Sequence, residues 1–260
     1  MASTIVLITG KLSGTTPTTG ANSGIGFATS KVLVCASDSF HVIIASRSLE
    51  KAQTAKSKIE STGSKGTLSV VQLDVTDENS IKAAAAQVEE QFGRLDVLMN
   101  NAGCGSGDSD VKSRFQKCLE TNVIGPALVS EVFRPLLFKS QNPYSIFVSS
   151  GQRTVVRNAL QKPPTFDRIP NADAYQVSKA ALNMLAVLEA RDYGLQGVKV
   201  FALSPGFVRS NLRGPSEDQK SGWGMAGDPE TSGEVVLSIV HGERDADVGC
   251  LVHKDGVYPW

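Results

Sequence analysis

Tyr175 and Lys179 stand four residues apart in Tyr175-Gln176-Val177-Ser178-Lys179, inside a stretch with helical character over residues 172–193. On a helix that spacing puts both side chains on one face. A tyrosine hydroxyl at its ordinary pKa of about 10 exchanges protons poorly at neutral pH. An adjacent ammonium lowers that pKa and makes the phenol a usable acid or base. The same pair also occurs on helix surfaces with no chemistry attached, each side chain lying along solvent.

A second set of residues suits a dinucleotide. Thr19-Gly20-Ala21-Asn22-Ser23-Gly24-Ile25-Gly26 brings glycines to the mouth of a helix. Missing side chains let backbone N–H groups approach a pyrophosphate, and the helix N-terminus favours its charge. Gly20, Asn22, Ser23, Gly24, Ile25 and Gly26 are the candidates. Glycines also mark ordinary turns, so the strand–helix pattern around them decides. One feature is out of place. Val6-Leu7-Ile8-Thr9-Gly10 already ends a strand in Thr-Gly, and residues 11–20 then intervene before the glycines. Removing them would join V-L-I-T-G to A-N-S-G-I-G. Their Thr, Gly, Pro and Ser content forms loops. Residues 11–20 therefore read as an insertion, either a surface excursion or a product of how the coding sequence was assembled.

The second strand ends in Ser46-Arg47 where a carboxylate would bind a ribose 2′-hydroxyl. A hydroxyl and a guanidinium suit a 2′-phosphate instead, which favours NADP(H) over NAD(H). Arg47 could equally be a solvated residue opening the next helix.

These residues need a scaffold, and the chain supplies one. Residues 4–9, 41–45, 68–73, 95–99, 145–149, 199–203 and 249–253 are short, near-continuous apolar runs. Such runs suit strands buried on both faces. Between them, helices are expected over 26–36, 49–61, 78–91, 111–139, 172–193 and 230–240, with Asp77 capping the third. Strand–helix alternation along the whole chain predicts a single α/β domain. Its core is a Rossmann-type, doubly wound parallel sheet of about seven strands with helices on both faces.

In their order and spacing the motifs resemble the short-chain dehydrogenase/reductase family over nearly the full chain. They are T-G-x-x-x-G-I-G at 19–26, L-D-V at 73–75, N-N-A-G at 100–103 and Asn122 in T-N-V-I-G. Ser149-Ser150, Y-x-x-x-K at 175–179 and P-G-F-V-R-S at 205–210 complete the set. The resemblance implies that Tyr175 exchanges a proton with a carbonyl or alcohol oxygen, and that Ser150 hydrogen-bonds that oxygen. It implies that Lys179 lowers the tyrosine pKa and holds the nicotinamide ribose, while Asn122 holds a water leading from Lys179 to solvent. Asp74 and Asn101 would border the adenosine, and Val208 and Ser210 the carboxamide. Ser210 stands where the family usually has threonine, and keeps the hydroxyl. The Ser150–Tyr175 separation is longer than is usual in the family and resembles a monomeric carbonyl-reductase branch, though the added stretch also reads as a plain surface loop.

Composition narrows the partners. Twenty-six Lys and Arg balance 26 Asp and Glu over 260 residues, giving zero net charge and a pI near 6.8. That argues against sequence-independent nucleic-acid binding. No apolar run reaches the ~20 residues of a membrane span. The four cysteines are scattered, as in a reduced, cytosolic protein. The three histidines have no ligand-like spacing, so no metal is expected. The expectation is an NADP(H)-dependent oxidoreductase acting on a small ketone, aldehyde or alcohol, with Leu212, Trp223 and Met225 suggesting an apolar substrate. Monomer and homo-oligomer stay open. A catalytically silent dinucleotide-binding protein on the same fold is the alternative, and epimerisation or dehydration through Tyr175 a third reading.

Overall fold

The computed structural model describes residues 3–10, 24–151, 154–160, 172–214 and 216–260. The expectations about Gly20, Asn22, Ser23 and the insertion at 11–20 lie outside the described residues, as does most of the stretch between Ser150 and Tyr175.

The chain folds as β1 (Thr4–Gly10), α1 (Ile25–Ala36), β2 (Phe40–Ser46), α2 (Leu49–Glu60), β3 (Thr67–Gln72) and α3 (Glu78–Phe92). There follow β4 (Val97–Asn100), α4 (Val111–Leu119), α5 (Gly125–Leu137), β5 (Tyr144–Val148), α6 (Val155–Ala159) and α7 (Asp173–Tyr193). The last elements are β6 (Lys199–Leu203), α8 (Glu217–Lys220), α9 (Glu230–Val240), β7 (Leu251–His253) and β8 (Gly256–Tyr258). The sheet order is β3-β2-β1-β4-β5-β6-β7-β8. All neighbours are parallel except β7–β8. This is the doubly wound Rossmann-type architecture, with the chain reversing direction of travel between β1 and β4.

Both faces of the sheet are buried. In β1, Val6 and Ile8 pack with α1, α2 and α9, while Ile5 and Leu7 pack with α3 and α5. Period-two alternation with apolar residues on both sides is why these strands read as continuous hydrophobic runs. Asp77 caps α3 as expected, accepting from the Asn79 and Ser80 N–H groups. Among the described residues no helix is long and apolar enough to cross a membrane.

Two elements differ from the sequence expectation. The helix expected over 111–139 is interrupted by a π-helical turn, Glu120–Ile124, between α4 and α5. Pro126 has no N–H to offer the Asn122 carbonyl four residues earlier, and the Gly125 N–H bonds back to the Glu120 carbonyl instead. The sheet also has an eighth strand. Lys254-Asp255-Gly256 makes a tight turn, with Gly256 at φ 144°, so Val257 and Tyr258 fold back antiparallel on β7.

Candidate active site

The C-terminal ends of the parallel strands carry the candidate residues, where open α/β sheets place their ligands. β5 ends at Val148 and runs into Ser149, Ser150 and Gly151. α7 lies across this end. Lys179 Nζ donates to the Val148 carbonyl at 2.7 Å and sits 5.9 Å from the centre of the Tyr175 ring. Lys179 is only 4% exposed, and burial draws its ammonium down to about 8, with the Cys104 and Cys118 thiols opposing the shift.

The two adjacent serines differ in setting. Ser149 Oγ is buried and donates toward Asn183 Oδ1 at 2.5 Å and the Lys179 carbonyl at 3.2 Å, bolting β5 to α7. Ser150, one residue on, is half-buried. The Gly151 N–H is held by Ser204 Oγ at 2.9 Å. The Tyr258 ring from β8 lies where a Gly151 side chain would stand, so the C-terminal hairpin braces the same loop.

Asn122 is fully buried in the π turn and its amide is committed. Nδ2 donates to the Cys104 carbonyl and to Ser178 Oγ, both at 2.8 Å, while Oδ1 accepts the Cys104 N–H at 2.8 Å. Ser178 Oγ in turn donates to the Tyr175 carbonyl at 2.8 Å. The side chain thus ties the loop after β4 to the first turns of α7. A side chain at Gly103 would touch both Asn122 Oδ1 and Lys179 Nζ.

A cleft opens at the β1–β4 reversal, lined by Gly10, Arg47, Leu73, Asp74, Val75, Thr76, Ala102 and Thr121. It brings together the expected Arg47 and Asp74, and adds Gly10 at the end of β1. Asp74 Oδ1 accepts from the Thr76 N–H and hydroxyl. Asn101 Nδ2 donates to the Thr9 carbonyl at 2.7 Å, and a Cβ on Gly26 would stand 2.7 Å from that same nitrogen. Glycine is required there for α1 to approach β4. Ile25 packs against the core below. Gly24 starts α1 at φ 137° with no side-chain cap, and no acid occupies the first turn. By contrast α2, α3 and α4 are capped by Ser48, Asp77 and Asp110.

Ser46 is fully buried, and its hydroxyl accepts the Ser48 N–H at 3.2 Å. As the last residue of β2 it is wrapped by β1 and β3 on either side. Val208 is buried and bridges to Gly227, while Ser210 Oγ caps the short turn Asn211–Arg213 by accepting the Leu212 N–H.

A family model described as short chain dehydrogenase matches residues 16–221. The chain belongs to the short-chain dehydrogenase/reductase family. A curated relative, the short-chain dehydrogenase/reductase tropE of Talaromyces stipitatus, is 33% identical over 92% of this chain and 94% of its own. The short-chain dehydrogenase/reductase eupG of a Phoma species is 32% identical over 93% and 96%. Among solved structures, NADPH-bound carbonyl reductase from chicken fatty liver superposes with a TM-score of 0.78 at 28% identity, covering all of both chains. As a member of this family the chain is an oxidoreductase acting on small molecules. Sequence reasoning gave no role to Gly10 or to the Ser149–Asn183 bolt. Gly10 is legible in the sequence as the glycine that ends the first strand, though the sequence assigns it no place in the cleft.

Proposed function

We propose that the protein interconverts a ketone or aldehyde and the corresponding alcohol with NADP(H). The observation that carries this reading is the buried Lys179 ammonium, fixed on the Val148 carbonyl beside Tyr175, at the strand end that also presents Ser150. The cofactor supplies the hydride. The chain's own residues handle the oxygen. Tyr175 gives its hydroxyl proton to a carbonyl oxygen gaining negative charge, or takes it back from an alcohol. Ser150 donates a second hydrogen bond to that oxygen. Lys179, protonated at neutral pH, favours the tyrosinate. Asn122 keeps the Cys104 loop and α7 in register.

The residues present fit the cofactor. The open N-terminus of α1 leaves N–H groups for an anion, Gly26 keeps the approach clear, and Arg47 stands in the cleft with a charge suited to a 2′-phosphate. Asp74 and Asn101 would border the adenosine, Val208 and Ser210 the carboxamide end. The NADPH bound by the chicken carbonyl reductase supports the same choice.

The silent-binder reading has one observation in its favour. β1 already ends at Gly10 in the cleft, and residues 11–23 lie between that end and α1. Two measurements separate the readings. NADPH titrations of the chain and of a version lacking residues 11–20 should give equal micromolar-range affinity; binding by the shortened form alone sinks the reductase reading for this chain. NADPH consumption on diketones, quinones and aldehydes should then be seen with the full chain and be lost in Tyr175→Phe.

A further inference from the structure

The loop between β6 and α9 carries a cation, Arg213, with no counter-ion among the described residues. Arg213 ends the short turn Asn211–Arg213, and its guanidinium is locked in place. Nε donates to the Gln219 carbonyl, and Nη2 to the Val208 and Lys220 carbonyls, each at 2.8 Å. Its central carbon lies 4.5 Å from the centre of the Phe207 ring. Phe207 is held in turn, since its ring fills the space a side chain on Gly222 would need.

Among the described residues no carboxylate pairs with Arg213, and Nη1 makes no hydrogen bond. Its neighbour Arg209 takes Glu217 instead. Burial pulls the Arg213 pKa below its ordinary value, and the one titratable group among the described residues that pulls it back is Tyr175. Three carbonyl dipoles satisfy three N–H groups, yet they supply no full negative charge to a partly desolvated cation. The turn also rests on the catalytic floor, because the Leu212 carbonyl lies 3.9 Å from where a Gly105 side chain would be, in the loop that Asn122 clamps.

A guanidinium that is fixed, half-buried and without a carboxylate among the described residues is already ordered before an anion arrives, which removes much of the entropic cost of recognising one. We propose that Arg213 selects carbonyl substrates bearing a carboxylate, and that this acidic group is bound on the Arg213 side of Tyr175. The assignment rests on the reductase reading and sharpens it. Phe207, Leu212 and Met225 are exposed on the same loop, so the substrate pairs an apolar body with one acidic group.

The test uses matched pairs, para-formylbenzoate with its methyl ester and acetoacetate with its methyl ester, each assayed with NADPH on the full chain. The acid of at least one pair should be preferred in kcat/KM by about 10- to 100-fold, the range of a charge-assisted hydrogen bond. Arg213→Gln should bring that ratio close to one, and Arg213→Lys should restore part of it. The ratio is the readout because a disturbed loop lowers acid and ester together. Equal or better turnover of the ester in both pairs overturns the assignment while leaving the reductase reading intact. So does an Arg213→Gln ratio that stays high. A loss of NADPH affinity in Arg213→Gln with the acid preference unmoved assigns the arginine to the cofactor and equally overturns it. No NADPH consumption on any carbonyl compound sinks both readings.

Discussion

The floor and the roof of the site are built by different means. On the floor, Lys179, Asn122, Ser149 and Asn183 are buried, and each bonds to a specific partner on β5, α7 or the loop after β4. On the roof, the segment from Phe207 to Gly227 is held by its own main chain and by the Arg213 guanidinium, which donates to three of its carbonyls. The Val208–Gly227 bridge and the Ser210–Lys220 bond close it, while Phe207, Leu212 and Met225 stay exposed. A floor of mutually satisfied polar groups fixes where a proton moves, since buried polar atoms tolerate few alternative arrangements. A roof tied within itself can change exposed side chains such as Leu212 and Met225 without disturbing that geometry. The contrast extends to charge. Lys179 is a buried cation that can lose its proton; Arg213 is a half-buried one that stays charged.

If the floor does the chemistry, its loss is the largest effect available. Tyr175→Phe is expected to lower kcat by about 10³-fold, within the span of general acid–base contributions, with NADPH affinity nearly unchanged. Parental turnover in that variant would break the comparison at its root. Next in size is the split between adjacent serines. Ser150→Ala should cost about 10²-fold in kcat with little change in melting temperature. Ser149→Ala should show a different pattern, about 1–3 kcal/mol of stability, because Asn183 is left buried without its partner. The two variants behaving alike would mean that the serines share one role.

A smaller effect separates the two cations. Lys179 loses its ammonium as pH rises through about 8. The folded-state value is below the ordinary one, so charge-dependent catalysis is complete at lower pH and falls on the alkaline side. A kcat/KM profile for carbonyl reduction should therefore decline about tenfold per unit above that midpoint. Acid-over-ester preference should stay level across the same range, because a guanidinium does not titrate there. A preference that declines along with kcat/KM would show the two cations acting as one.

Much of this arrangement could be read from residues alone, for a physical reason. Strands buried on both faces leave continuous apolar runs, so the seven parallel strands announce themselves, and Asp77 marks its helix by capping chemistry. Tyr175 and Lys179 share one side of α7, as their four-residue spacing implies. What escaped depends on contacts distant in sequence. The π turn is set by Asn122 reaching Cys104 and by a proline that cannot donate. The enclosure of Ser46 by β1 and β3 is likewise set by pairing with strands distant in sequence. Strand β8 is three residues long, and its one local signal is Asp255-Gly256. Arg213 is informative through the carboxylate it lacks among the described residues, and such a lack has no signature in the sequence.

The last prediction leaves the site for a control in which no catalytic change is expected. Glu189 on α7 is buried, and burial raises its carboxyl to about 7, with Arg134 at 3.7 Å and Ser130 opposing the shift. Its folded-state pKa lies above the unfolded one, so between roughly pH 4.5 and 7 the folded chain keeps a proton that the unfolded chain has lost. The parent should therefore lose stability as pH rises through that window and level off above it. Glu189→Gln cannot ionise, and Arg134 keeps Glu131 and the face of Tyr193 as partners. The variant should match the parent near pH 4 and exceed it above pH 7 by at most about 3 kcal/mol, read as a widening gap in melting temperature. A gap that is constant with pH would mean that Glu189 ionises alike in both states. Unchanged kcat across the pair would confine the effect to the α5–α7 contact, outside both floor and roof.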